Sequence, residues 1–367
     1  MPTDRSSIVM TTDAVGGIWS YSLDLGRDLV RHDMRVVLAV LGPELDEDKR
    51  ASAADAGIDV IETGLAPEWL ATQASEVEQA GAALADLAVR EGADLVHLNH
   101  PALAASTPFE VPVLAVCHSC VATWWAAVRG TPLPDDFMWR TDLVRRGYRS
   151  ASTLVAPTRA FAEMTQRVYG LAALPEVVYN GRVAPEALVA TPPLDAVFTA
   201  GRLWDDGKNL GLLDRAAGLH HVPFRAAGPT DGPNGAHASF ERIEMLGPLP
   251  EAAMRAEFAA RPLYASPALY EPFGLAVLEA AQSGCALVLS DIESFTELWH
   301  DAALFVPTDD PEALAAAIGR LLSDPALRAD YAEAARNRSR VFGLEPFSRE
   351  MMRLYRCLID PPRAMAS

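Results

Sequence analysis

The stretch "LYASPALYEPFGLAVLEAAQSGCALVLSD", residues 263–291, decides how the chain folds. "LYAS" has the residues of a buried strand, and Pro267 to Tyr270 forms a loop. A helix is expected from about Phe273 to Ser283, with Gly284 ending it before a second strand, "ALVLS". Strand, loop, helix and strand in so few residues is the grammar of a parallel sheet. Glu271 and Glu279 are the only charges between Arg261 and Asp291, so an otherwise apolar segment keeps two carboxylates.

The same grammar extends outward in both directions. Upstream, Ser7–Thr11 leads through a glycine turn to a helix near Ile18–His32, followed by the strand-like runs "MRVVLAVLG", "ADLVHLN", "VPVLAVCHS", "ASTLVAPT" and "PEVVYNG". A proline-rich break, "VAPEALVATPPLDAV", spans residues 183–197, after which "VFTAGR", "VPFRAAG", "RIEMLG", "PLYAS", "ALVLSD" and "ALFVPT" alternate with helices. The expectation is α/β: two Rossmann-like, doubly wound parallel-sheet domains, residues 1–182 and 183–345. An amphipathic C-terminal helix, about 346–367, is expected to pack back on the first domain. Ligands of such sheets sit at the carboxyl ends of the strands.

With 367 residues the chain is long enough for two ordinary cores. Its net charge of −18 argues against nucleic acid and against stable binding to an acidic membrane, since both need a basic face. Val111 to Val128 carries no formal charge, but Pro112, His118, Ser119 and Thr123 make it a strand, a turn and a helix start rather than a membrane span. The four cysteines, with no basic-then-apolar leader, point to a reducing, cytoplasmic compartment.

Several features carry candidate chemistry. Around Glu271, the amides of Phe273, Gly274 and Leu275 would be free donors at a helix start, where phosphate is favoured. Glu279 could accept both hydroxyls of a ribose, with Glu271 nearer the reacting group; the plain alternative is a favourable helix-start charge and an exposed side chain. "GRLWDDGKN" sets Arg202 at a strand end and Lys208 before a helix, a pair able to clamp a diphosphate unless Asp205 and Asp206 neutralise it. Gly16–Gly17 alone is a weak signal, and so is a lone His118 at the end of "VLAVCH".

Other features point elsewhere. Cys117 and Cys120 form "CHSC", the spacing of a dithiol redox pair. Asp46–Glu47–Asp48 has the form of a metal-holding acidic triplet but sits in a charged helix start. Trp124, Trp125 and Trp139, with Arg140, Arg145, Arg146 and Arg149, could face a membrane or an anionic acceptor, or form a solvated face over a packed core.

Taken in order, "GRLWDDGKN", "LGPLPEAAMRAEF", "SPALYEPFGLAVLEAAQSGCALVLSDIESFTELW" and "ALFVPTDDPEALAAAIGRLLSD" resemble the C-terminal domain of family-four retaining GT-B glycosyltransferases, relatives of glycogen synthase. "TTDAVGGIWSYSLDLGRDLVRHDMRVVLAV" and "YNGR" resemble their N-terminal domain. The resemblance implies two domains facing across a cleft, and a sugar moved from a UDP- or GDP-type nucleotide diphosphate sugar to a small-molecule or glycan acceptor hydroxyl, with retention. It implies that Arg202 and Lys208 hold the diphosphate, Glu271 lies beside the donor sugar, and Phe273, Gly274 and Leu275 meet sugar and phosphate. Glu279 would bind ribose, Gly16 and Gly17 approach phosphate, and His118 face acceptor and donor sugar. No metal and no further cofactor are implied. Ala268 stands where the family often has serine, and Arg182 where it usually has a hydrophobic residue. Alternatives are a same-fold nucleotide-sugar hydrolase or epimerase, a non-catalytic nucleotide-sugar binder, or a CxxC redox protein.

Overall fold

The computed structural model describes residues 5–14, 16–185, 192–232 and 235–361. Residues 186–191 of the proline-rich break and 362–367 of the expected terminal helix lie outside them. The chain divides into two compact units, residues 1–126, 131–181 and 344–367 in the first, and 127–130 and 182–343 in the second.

In the first unit, β1 (Ser7–Asp13), α1 (Gly17–Arg31), β2 (Arg35–Leu41), α2 (Glu47–Asp55) and β3 (Asp59–Glu62) form one winding. Then come α3 (Ala74–Arg90), β4 (Leu95–Leu98), β5 (Val113–Val116), α4 (Val121–Val128), α5 (Met138–Ser150), β6 (Thr153–Ala156), α6 (Arg159–Tyr169) and β7 (Glu176–Val177). The seven strands pair in the order β3-β2-β1-β4-β5-β6-β7, all parallel. The strand order reverses between β1 and β4, which makes their carboxyl ends the place where a crevice opens. Both strands are buried throughout, as expected for near-continuous Val, Ile and Leu runs under helices on both faces.

The second unit repeats the plan. It runs through β8 (Val197–Ala200), α7 (Leu210–Ala217), β9 (Phe224–Ala227), β10 (Ile243–Gly247), α8 (Glu251–Ala259) and β11 (Leu263–Ser266). It continues with α9 (Leu275–Gln282), β12 (Leu287–Ser290), α10 (Glu293–Trp299), β13 (Leu304–Val306), α11 (Pro311–Ser323) and α12 (Pro325–Ser339). Its six parallel strands are ordered β10-β9-β8-β11-β12-β13, with the reversal between β8 and β11. The ends of β8 and β9 approach so closely that a Cβ on Gly228 (φ +140°) would lie 1.7 Å from the carbonyl oxygen of Gly201. Only glycine fits there.

The helix α13 (Leu344–Ile359) belongs to the first unit. Its apolar stripe, Phe347, Met351, Leu354 and Tyr355, enters the same core as Tyr21, Leu25 and Leu29 of α1. A buried hydrogen bond from Ser348 Oγ to Asp28 Oδ2, 2.5 Å, fixes that helix pair.

Candidate active site

In the second unit the site is built on the loops after β8 and β11. Arg202 leaves the strand end and its guanidinium donates to Asp205 Oδ2 at 2.9 Å. Asp205 in turn accepts from the amide of Gly207 at 2.8 Å, folding the loop into the short turn that carries Lys208. The carbonyl of Gly207 accepts from the amides of Leu269 and Tyr270, at 2.9 and 3.2 Å, so the two loops are stitched together. Asn209, held at φ +55°, adds a second stitch, its Nδ2 donating to the carbonyls of Pro267 (3.0 Å) and Thr308 (2.8 Å). These bonds bring Lys208 onto Glu271 across 63 positions of sequence as an ion pair, with 19% and 16% of the two side chains exposed.

The loop after β11 turns into α9 through Gly274, which takes the left-handed conformation at φ +89°. A Cβ there would meet Phe295 and Val277 at 3.2 Å. The helix accordingly begins at Leu275, two residues later than the sequence reading places it. Leu275 opens the first turn, whose amides have no intrahelical acceptor. Phe273 is a core residue, its ring edge-on to Phe342 at 5.7 Å.

Glu279, on α9, pairs with Arg182 at 3.0 Å, with 28% and 14% of the side chains exposed. The Arg182 backbone is held at both ends of its peptide: its amide donates to the Phe342 carbonyl (3.3 Å) and its carbonyl accepts from Gln282 Nε2 (3.2 Å). Arg182 thus gains a definite place as partner of Glu279, which its departure from the family pattern gave no way to foresee. The plain alternative of a simply exposed Glu279 does not hold, since it pairs with Arg182. Each glutamate faces a cation, because two acids on an otherwise apolar segment need counter-charge when partly removed from water.

In the first unit, Gly16 caps α1 at φ +70°, with no atom within 4 Å of where a Cβ would stand, and Gly17 is the first residue of the helix. Both come after β1 at its carboxyl end. His118 comes after β5, partly exposed, its Nε2 2.7 Å from Asn99 Oδ1 and its ring edge-on to Tyr21 at 4.7 Å. Burial, aided by His97 and His100, lowers its pKa to about 3, so the imidazole is neutral at working pH. The fold gathers Arg202, Lys208, Glu271, Gly274, Leu275 and Glu279 at one sheet edge of the second unit. Gly16, Gly17 and His118 gather at the corresponding edge of the first.

The rival features resolve into structure. Cys117 is buried, and burial pushes both its thiol and that of Cys120 up, despite hydrogen bonds from Thr123 and Tyr169 to Cys120. Neither is the low-pKa thiolate that dithiol exchange requires. Asp46 caps α2, accepting from the amide of Lys49 at 2.8 Å. Arg145 and Arg146 pair with Asp142, and Arg146 also with Glu78, while Arg140 anchors the carbonyls of Glu68 and Ala71. Much of the basic helix is therefore neutralised locally. Among the described residues no helix is long and apolar enough to cross a membrane, and no three His, Cys, Asp or Glu side chains are grouped to hold a metal ion.

Two doubly wound parallel sheets, with cations and a helix start at the second one's switch point, make a nucleotide-binding type of α/β architecture. Residues 15–182 match the family model for Glycosyltransferase Family 4, and 238–338 match Glycosyl transferases group 1. The chain belongs to the family-four-like glycosyltransferases of the GT-B fold. It is 33% identical over 116 residues, 31% of its length, to a phosphatidyl-myo-inositol mannosyltransferase of Mycolicibacterium smegmatis. Such alignments span about 30% of the length of the curated relatives. Among solved structures, sucrose-phosphate synthase of Thermosynechococcus elongatus superposes with a TM-score of 0.78 at 18% identity, covering 98% of this chain and 100% of that one. HepE of Anabaena in complex with UDP-glucose gives 0.74 at 19% identity, covering 95% and 98%. At these identities the likeness establishes the fold.

Proposed function

We propose that the protein moves a sugar from a nucleotide diphosphate sugar, of UDP or GDP type, to a hydroxyl of a small-molecule or glycan acceptor, with retention at the anomeric carbon. The observation that carries this reading is the Lys208–Glu271 pair beside Arg202 and the start of α9. A partly buried lysine held by a carboxylate at a switch point is a cation kept ready for an anionic ligand, and a diphosphate arriving there exchanges with Glu271 for it.

In that exchange Lys208 and Arg202 bind the diphosphate and stabilise the charge it gains as the sugar departs. The amides opening α9 add donors, Gly274 permits close approach, and Glu271, released from Lys208, takes hydroxyls of the donor sugar. Glu279 accepts the ribose diol, and Gly16 and Gly17 meet phosphate where a side chain would intrude. The bond from the anomeric carbon to the leaving phosphate breaks while the acceptor oxygen bonds on the same face. The acceptor's proton passes to the departing phosphate oxygen. His118 takes a hydrogen bond from a sugar or acceptor hydroxyl. Because fixed cations carry the charge, the reaction needs no bound metal. The UDP-glucose in the HepE complex supports a nucleotide-sugar donor.

The test is turnover of a panel of nucleotide sugars with and without candidate acceptors, with the anomeric configuration of the product read by NMR. A nucleotide sugar consumed only when acceptor is present, giving the donor's configuration, is the expected result. Equal consumption without acceptor would make the protein a hydrolase. An inverted product would overturn retention.

A further inference from the structure

Asn99, on the segment after β4, is buried and meets two imidazoles and the end of β1. Its Nδ2 lies 2.6 Å from the carbonyl oxygen of Thr11 and 3.0 Å from Ser22 Oγ. A carbonyl oxygen only accepts, so the amide nitrogen must face Thr11 and Oδ1 must face the rings. Oδ1 lies 2.7 Å from His118 Nε2 and 3.0 Å from His97 Nε2. An amide oxygen cannot donate, so each of those ring nitrogens carries its hydrogen and donates it.

The consequences differ for the two rings. Neutral His97 then has a bare Nδ1, which accepts from the hydroxyl of Tyr355 on α13 at 2.6 Å. Neutral His118 also has a bare Nδ1, but no hydrogen bond among the described residues reaches it. His118 is the ring of the pair that is partly exposed. One side chain therefore settles the protonation of two histidines and leaves one unused lone pair.

We infer that Asn99 is a positioning residue: it locks His118 in the Nε2–H form and so presents Nδ1 as an acceptor to a substrate hydroxyl. The lock is a property of the free protein, whereas the use of the lone pair rests on the glycosyl-transfer reading. The titratable groups facing His118 are His97 on β4, His100 from the segment after it and Tyr21 from α1. All three are neutral or cationic, so nothing among them favours a charged His118.

The first experiment is 15N NMR of the full chain labelled at histidine, with His118→Gln to assign its signals. The expected spectrum shows His118 neutral and protonated at Nε2 from pH 8 to pH 5. A ring protonated at Nδ1, or charged at pH 7, overturns the inference without reference to any activity. The second is Asn99→Asp, which puts a carboxylate against the ring. An adjacent opposite charge raises a pKa by roughly 1–3 units, so kcat/KM should gain an acid limb, falling by up to about tenfold between pH 8 and pH 5 where the wild type stays flat. An unchanged profile in a folded Asn99→Asp overturns the role in turnover. If that variant does not fold, the wild-type spectrum still decides the lock. Absence of sugar transfer altogether would sink the functional reading and leave the tautomer result standing.

Discussion

The strands β1 and β8 hold equivalent places, each at the point where its sheet reverses order, β3-β2-β1-β4 in one unit and β10-β9-β8-β11 in the other. The loops that leave them differ in kind. After β1 the chain offers glycines with open space beside Gly16, and the neighbouring strand ends hold an imidazole network joining buried His97 and Asn99 to partly exposed His118. After β8 it offers Arg202 and Lys208, each against a carboxylate, and the next loop ends at the amides of α9. Topology fixes where a ligand can sit, and loop chemistry fixes which ligand it is. On the proposed reading a diphosphate belongs at the second edge, because that is where cations are held ready. The first edge suits hydroxyls, which need neutral donors and acceptors.

The sharpest way to break this contrast is to remove the cations. Lys208→Ala and Arg202→Ala should each lower turnover by about a hundredfold or more, the usual loss when a preorganised charge contact to a transition state disappears. Lys208→Ala also strands Glu271, so thermal unfolding must be measured beside the rate. Near-normal rates in both folded variants would remove the diphosphate from the second unit.

The contrast also predicts that acid sensitivity near neutral pH resides in the first unit. Burial lowers the His97 pKa from 6.5 to about 4. The unfolded chain therefore takes that proton below pH 6.5 while the folded ring refuses it until about pH 4. Stability is full above pH 6.5 and falls as pH drops through that window, by up to about 3 kcal/mol for a shift of this size. His100 moves the opposite way. Burial opposes its charge most, but the hydrogen bond to Asp13 and the fields of Glu68 and Asp13 outweigh it. Its contribution is complete below pH 6.5 and is lost as pH rises through its folded value, so it adds no slope in the acid window. His118, whose folded pKa is about 3, adds a loss of the same sign in the same window. Urea unfolding from pH 7 to pH 4.5 should show the combined loss, and His97→Asn should make it shallower while leaving the share of His118. An equally steep curve in that variant would assign the sensitivity elsewhere.

The alternation of β-branched runs, glycine turns and amphipathic helices makes both parallel sheets legible in the sequence, since buried strands under helices must be apolar on both faces. The pairings of the charged residues are not legible. Lys208 meets Glu271 because Gly207, Asn209, Leu269 and Tyr270 knit two loops together, and those are backbone and amide bonds without a periodic signature. Arg182 meets Glu279 across nearly a hundred residues of chain, and Asn99 meets His118 only after β4 and β5 pair. The true start of α9 escapes the sequence because a left-handed Gly274 is indistinguishable there from a glycine inside the first turn.

Within the second edge the two glutamates should fail differently, and their partners sharpen the difference. Glu279→Gln should weaken donor and free nucleotide diphosphate alike, raising KM about tenfold, since a charged hydrogen-bond acceptor is lost from the ribose. Glu271→Gln should lower kcat about tenfold without weakening the free nucleotide diphosphate, because its contact matters when the sugar is present. The pairing has a further consequence: with Glu271 neutral, Lys208 no longer has to leave a carboxylate, so nucleotide diphosphate should bind as well or better. Calorimetry with UDP and GDP measures this. Equal weakening by both substitutions would make the carboxylates fold elements alone.

The smallest effect expected is that of a chelator. In the proposed reaction the departing diphosphate needs positive charge from somewhere, and the second unit already supplies Lys208, Arg202 and the amides opening α9, all covalently part of the chain. Asp46, the first residue of the acidic triplet near the start of the chain, spends its carboxylate on the Lys49 side chain and amide, which hold it below its ordinary pKa. A group with that work has little left for a metal–phosphate bridge. Turnover in excess EDTA should therefore stay within about twofold of the untreated rate, a change of under about 0.5 kcal/mol in the barrier. Loss of activity that manganese or magnesium restores would mean that charge is delivered by an ion rather than by the fold, and Lys208 and Arg202 would then have to be reread as holding that ion's ligands in place.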